Sequence, residues 1–169
     1  MIVVSDTSPL NYLVLVEADR FLPELFGEVA APPAVMAEMQ HSRTPAKVKA
    51  WAANPPAWLQ ILTPAAVVPF DRLGPGESEA IALAQQLNAD ILLMDERDGS
   101  AVAKQLGLAV VGTLGVLELA AEKGFLSLPA VIAELRRTTF RAPDRLIAEM
   151  LRRDQLRPLR TNPAEEDTA

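Results

Sequence analysis

The sequence predicts an α/β fold built on a mostly parallel sheet, and three observations carry that reading. Short apolar runs alternate with stretches of helical period, the pattern left by βαβ units. Half of the 169 residues are hydrophobic, enough for one domain with a substantial core. Acids fall in four groups where an apolar run stops or a helix opens: Asp6; Glu38; Glu77 with Glu79; and Asp95 with Glu96 and Asp98.

Taken in order, residues 2–4 form the first strand, and a helix over 9–16 follows with Leu10, Leu13 and Val14 on its inner face. A second short helix over 19–26 is broken by Gly27. Residues 28–31 read as the second strand, and Pro32-Pro33 opens the next helix, since proline is tolerated in a first turn. That helix carries Val35, Met36 and Glu38. Thr44-Pro45 starts a helix over 46–53, which Asn54-Pro55-Pro56 ends, and 59–62 reads as a strand. Residues 73–76, Leu-Gly-Pro-Gly, form a turn before an alanine-rich amphipathic helix over 77–87, with acids in its first turn where the helix dipole favours them. The clearest strand spans 90–94. A helix over 100–106, a strand over 109–111 and a helix over 114–123 ended by Gly124 complete the pattern, with further helices over 128–138 and 144–153. Residues 161–169, with Pro163 and three consecutive acids, read as a disordered tail. The expected organisation is a single domain over 1–160, with a core over 1–126, arginine-rich helices over 127–160, and the tail.

Composition removes several chemistries. The chain has no cysteine and one histidine, which excludes disulfides, thiolate metal sites and cysteine nucleophiles and leaves no basis for a multi-imidazole site or a Ser-His-Asp triad. Any metal must be held through oxygen. The N-terminal MIVVSDTS has no basic segment followed by a long apolar one, and no run reaches the length of a membrane span; a cytoplasmic protein without a membrane partner is expected.

A net charge of −6 argues against nucleic acid, whose binding draws on lysine and arginine. The distribution qualifies this. Residues 134–160 hold eight arginines against four acids, a local charge of +4 that leaves −10 for the rest. An acidic pocket beside a basic flank suits a metal acting on a phosphate chain; a solvated helix face is the plainer reading.

If parallel strands carry the acidic turns, the carboxylates converge at the sheet edge where open α/β folds bind ligands. Converging carboxylates repel, and a hard cation relieves the repulsion. Each acid also has a structural reading. Asp6, with Thr7 and Ser8, could cap the first helix; Glu38 could be an exposed helix residue; Glu77 and Glu79 could simply favour a helix dipole; and 95–98 could be a polar turn. Four such coincidences are harder to accept than one. His41 reads as a cation near a helix end. Trp51 and Trp58 read as cover for the core edge or as an oligomer contact.

The segments VVSDTSPLNYL, FGEVAAPPAVMAEM, GPGESEAIALAQQLNADILLMDERDG and LGLAVVGTLGVLELAAEKG resemble a PIN domain, in a PIN-like branch related to the VapC toxin ribonucleases. The resemblance covers about residues 1–126. It implies a three-layer α/β/α sandwich, a carboxylate cluster binding Mg2+ or Mn2+, and hydrolysis of RNA. By position, Asp6 is the first metal ligand with Ser8 supporting it, Glu38 the second acid, Glu79 or Glu77 the third, and Asp95 the fourth, with Glu96 and Asp98 as neighbours or substitute ligands. A carboxylate or a phosphate oxygen could then take the proton of the attacking water, and few aromatics are available to stack bases. The resemblance further implies a homodimer, for which Leu10, Tyr12, Leu13 and the 46–53 helix could supply a surface, and an antitoxin protein laid over the acidic cleft. The RNA-contacting residues are not indicated. Two other functions stay open: a PIN-like domain with lost or retuned catalysis that binds RNA or protein, and a receiver-like or phosphatase-like domain. The second lacks an Asp-x-Asp after the first strand and a lysine after a late one.

Overall fold

The computed structural model describes residues 1–158; the tail over 161–169 and Arg160 lie outside the described residues. Five strands, β1 (Val3–Ser5), β2 (Val29–Ala31), β3 (Leu59–Ile61), β4 (Ile91–Leu93) and β5 (Val110–Val111), pair in the order β3-β2-β1-β4-β5. Every pairing is parallel, with Val3 facing Val29 on one side and Ile91 on the other. The two strands at and beside the centre, β1 and β2, are buried along their whole length, as parallel strands covered on both faces must be.

Strand periodicity sends alternate side chains to two separate cores. Val3, Val29, Ala31 and Leu93 face one, and Val4, Ala30 and Leu92 face the other. The first core is covered by α1 (Thr7–Leu15), α2 (Leu22–Phe26), α4 (Ala46–Ala53), α7 (Thr113–Glu122), α8 (Leu128–Leu135) and α9 (Asp144–Gln155). The second is covered by α5 (Pro75–Gln86) and α6 (Arg97–Gln105); α3 (Pro33–Glu38) packs against α5 while its Val35 and Met36 sit in the first core. This is the α/β/α sandwich the sequence predicts.

Four helix starts fall earlier than expected, those of α1, α5, α6 and α7, and two of them set residues at the site through their N-caps. Asp6 and Glu96 are extended residues at the N-cap positions of α1 and α6, so the helices begin at Thr7 and Arg97. Pro9 lies inside the first turn of α1, where its missing N–H has no intrahelical partner to lose.

The C-terminal helices belong to the first core. Leu128, Val131, Ile132, Leu135, Ile147 and Met150 are buried there, each apolar side chain contributing about 1.5–3 kcal/mol. Phe140 meets the Tyr12 ring edge-on at 5.0 Å, and the Tyr12 hydroxyl lies 3.1 Å from that of Thr139. Leu10 and Leu13 are fully buried, so the face suggested above for a dimer is not formed by them: the first core takes up their apolar surface. Trp51 and Trp58 pack at the core edge, 6.0 Å apart, with the Trp51 indole donating to Asp19 at 2.9 Å. Among the described residues no helix is long and apolar enough to cross a membrane.

Candidate active site

The carboxyl ends of β1 and β4 are tied together where the Asp6 amide donates to the Leu93 carbonyl at 2.9 Å. Asp6 is 2% exposed and makes no side-chain capping bond to α1, so capping does not account for it. Burial pushes its carboxyl up to about 8, the nearby charges of Glu96 and Glu77 add to the rise, and the Thr7 amide opposes it. Desolvation and like charge act together here.

Glu96 is the hub. The Ser8 hydroxyl donates to its Oε1, while Oε2 is buried with no hydrogen-bond partner among the described residues. When protonated, the Asp6 carboxyl is the donor within reach of Glu96; without that proton the Glu96 oxygen is a buried acceptor left unmatched, which is uncommon. Glu77 enters the cluster from the first turn of α5, where its Oε1 accepts the Gly74 amide at 3.3 Å. Burial raises its pKa, and the charges of Glu96, Glu38 and Asp98 raise it further. Glu38 closes the cluster from the end of α3: its Oε1 accepts the Gly76 amide at 2.9 Å and its Oε2 the Thr7 hydroxyl at 2.5 Å. Asp6, Glu38, Glu77 and Glu96 therefore form one connected group.

The other acids stand differently. Both Asp95 oxygens are held by Thr113, through its amide at 2.7 Å and its hydroxyl at 2.6 Å. Burial raises the Asp95 pKa, the Thr113 bonds draw it down, and Glu96 pushes it up. Asp95 thus flanks the group and anchors the start of α7. Glu79 turns to the start of α3, where it accepts the Ala34 amide at 3.0 Å. Asp98 is exposed, reaching Glu77 by its charge alone. His41 lies past the end of α3 and accepts the Arg43 amide at 3.2 Å.

The donor set matches hard divalent cations: oxygen ligands, like charges in contact, and an unpartnered carboxylate oxygen. It is not a finished ligand shell, since among the described residues no three acidic or histidine side chains are arranged to hold a metal ion. Asp6, Glu77 and Glu96 are the acids whose charges act on one another, with Glu38 beside them, and they are the residues that could contribute oxygens to one.

Sequence reading passed over the small residues that give the acids room. A Cβ on Gly76 would lie 2.5 Å from Glu38 Oε2, one on Gly99 2.6 Å from Glu77 Oε2, and one on Gly112 2.9 Å from Asp95 Oδ1. Thr113 was also missed, although it follows the end of β5 as Asp6 follows β1, and that position was the available signal.

The arginine-rich flank is partly neutralised by its own acids. Arg153 forms a two-point pair with Glu118 at 2.9 and 3.2 Å, and Arg145 and Arg157 pair with Glu149 and Asp154. Exposed pairs of this kind add little stability.

A family model described as a PIN domain matches residues 2–155. Among solved structures, the chain is similar to a PilT N-terminus domain protein from the hyperthermophilic archaeon Sulfolobus solfataricus P2, with 21% sequence identity and a TM-score of 0.50 over 72% of this chain and 92% of that one. At that identity the likeness bears on the fold. No curated protein matches the chain.

Proposed function

The chain belongs to the PIN domain family, generally a nuclease fold, and from that premise we propose that it is a divalent-metal-dependent ribonuclease, specifically an endoribonuclease using Mg2+ or Mn2+. The observation that carries this is the joined group of Asp6, Glu77 and Glu96 with the unpartnered Glu96 oxygen. We assign the third acid to Glu77 and not Glu79, whose carboxylate is engaged at α3. Glu96 is promoted from neighbour to ligand.

A bound divalent ion supplies charge neutralisation at the scissile phosphate and acidifies the attacking water. The chain's own residues set the stage for it. Ser8 and Thr7 fix the Glu96 and Glu38 carboxylates, and the Thr113 clamp on Asp95 holds the far wall. Burial withholds water from Asp6, whose raised pKa records the cost of its charge there and hence what a cation beside it would relieve.

The test is cleavage of defined single-stranded RNAs with and without manganese. Wild type is expected to cleave only with the ion, and Glu96→Gln to lose at least a hundredfold in rate. Cleavage surviving both Glu96→Gln and Glu77→Gln would refute the assignment.

The finer reading, a toxin of a toxin and antitoxin pair or a relative of one, rests on the sequence resemblance to VapC toxins. Growth arrest on expression, relieved by Glu77→Gln, is its test. A second reading, a PIN-like domain binding RNA or protein without catalysis, is favoured by the absence of a finished ligand shell among the described residues. Manganese titration separates the two, since a domain without the metal site shows no saturable binding lost in Glu96→Gln.

A further inference from the structure

Beside the acid cluster, α6, β5, α7 and α9 enclose a cavity of about 470 Å³, with Asp95 and Gly112 in its wall. Its volume falls within the roughly 300–1,000 Å³ of small-molecule sites. Its apolar lining is Val110, Leu114, Phe140, Leu146 and Met150. The lining also presents cations. Lys104 makes no hydrogen bond or ion pair among the described residues, and the Arg141 guanidinium donates through one nitrogen only, to the Thr138 and Phe140 carbonyls.

The acids at this cavity are already answered. Glu118 is matched by Arg153 at 2.9 and 3.2 Å, and both Asp95 oxygens accept from Thr113. By formal charge the lining sets Lys104, Arg141 and Arg153 against Asp95 and Glu118, an excess of one cation. Beyond Phe140 and Arg141 an adjoining hollow of about 230 Å³ carries Arg136 together with Asp144, so Arg136 continues the lining from Arg141 toward the C-terminal helices. Apolar lining with one aromatic ring and two available cations in the same cavity fits a flat base joined to a phosphate better than either a lipid chain or a bare anion.

Resting on the ribonuclease reading above, we infer that this cavity is a nucleotide subsite: it holds one nucleotide of an RNA chain passing the Asp95 wall, the base against Phe140 and Leu146 and phosphates against Lys104 and Arg141. The arginine-rich segment then gives the substrate its path.

Adenosine 5′-monophosphate, titrated into the full chain with EDTA present and followed by ligand-detected NMR, tests the site. Binding is expected to weaken at least fivefold in Lys104→Glu and in Leu146→Asp, both exposed positions, and to change less than twofold in the remote control Lys47→Glu on α4. Inorganic phosphate alone is expected to bind at least fivefold more weakly than the nucleotide. Absence of nucleotide binding, binding that both cavity variants leave unchanged, or phosphate binding as tight as the nucleotide's would overturn the subsite. Manganese-dependent RNA cleavage on the same samples reads the parent assignment separately: cleavage without nucleotide binding removes the subsite alone, and nucleotide binding lost in the cavity variants without any cleavage supports the subsite and removes the nuclease.

Discussion

Replacing Asp6 with asparagine should stabilise the metal-free protein at alkaline pH, against the usual effect of altering a buried polar residue. The Asp6 carboxyl is raised from 3.8 to about 8, first by burial and then by Glu96 and Glu77. Between those values the folded chain keeps a proton that the unfolded chain releases, so stability declines as pH rises and the decline is complete above about 8. At about 1.4 kcal/mol per pKa unit, the four-unit window amounts to about 5 kcal/mol, an order-of-magnitude figure because the neighbouring acids titrate together. Asparagine has nearly the same shape, accepts from the Thr7 amide and can donate to Glu96, but carries no charge to desolvate. Urea denaturation in EDTA from pH 4.5 to 9 should show the Asp6→Asn advantage growing with pH. A gap of about 5 kcal/mol would move Tm by roughly 10–20 °C in a chain of this size. Manganese at pH 8 should close the gap by stabilising wild type alone. Parallel stability curves for the two proteins, within 1 kcal/mol across the whole range, would refute the reasoning.

Three further outcomes follow from the geometry. Glu77→Gln should reduce metal-dependent cleavage at least a hundredfold, whereas Glu79→Gln, which keeps an acceptor for the Ala34 amide, should stay within about threefold of wild type in the same assay. Thr113→Val removes a donor from Asp95 and should lower stability in urea by about 1–3 kcal/mol; because losing that bond raises the Asp95 pKa further, the loss should be larger at pH 8 than at pH 4.5. Gly76→Ala sets a methyl group against the Glu38 carboxylate and should weaken manganese affinity at least tenfold by calorimetry.

The fold was legible because its signals are local and repeated. The apolar runs ending at Val4 and Met94, and the break at Gly27, set strand and helix with little interference from tertiary contacts; the bounds of α1 and α6 were misplaced because Asp6 and Glu96 act as N-cap residues through backbone conformation alone. The site was legible only as a set. Nothing in the spacing of 77 and 79 says which acid turns toward α3 and which toward Glu96, since both lie near the start of one helix and the choice is made by where Ala34 and Gly99 fall in space. The spacing of Asp95 and Glu96 is silent in the same way about the Thr113 clamp, which comes from a strand and helix that follow later in the chain.

That ambiguity has a physical root. Helix N-termini offer unpaired amides and a positive dipole end, so the residue types that cap a helix also collect anions or bind cations near one. Here the starts of α1, α5 and α6 carry Asp6, Glu77 and Glu96 toward one another, and the start of α7 holds Asp95. Three positive helix ends partly offset three negative side chains, which explains how an uncharged, water-poor setting can gather them at all. The offset is incomplete, as the raised Asp6 and Glu77 carboxyls record. The remainder is what a proton satisfies below about pH 8 and what a divalent cation would satisfy in its place, so a helix-start reading of these acids and the proposed metal reading draw on one electrostatic arrangement and are not rivals.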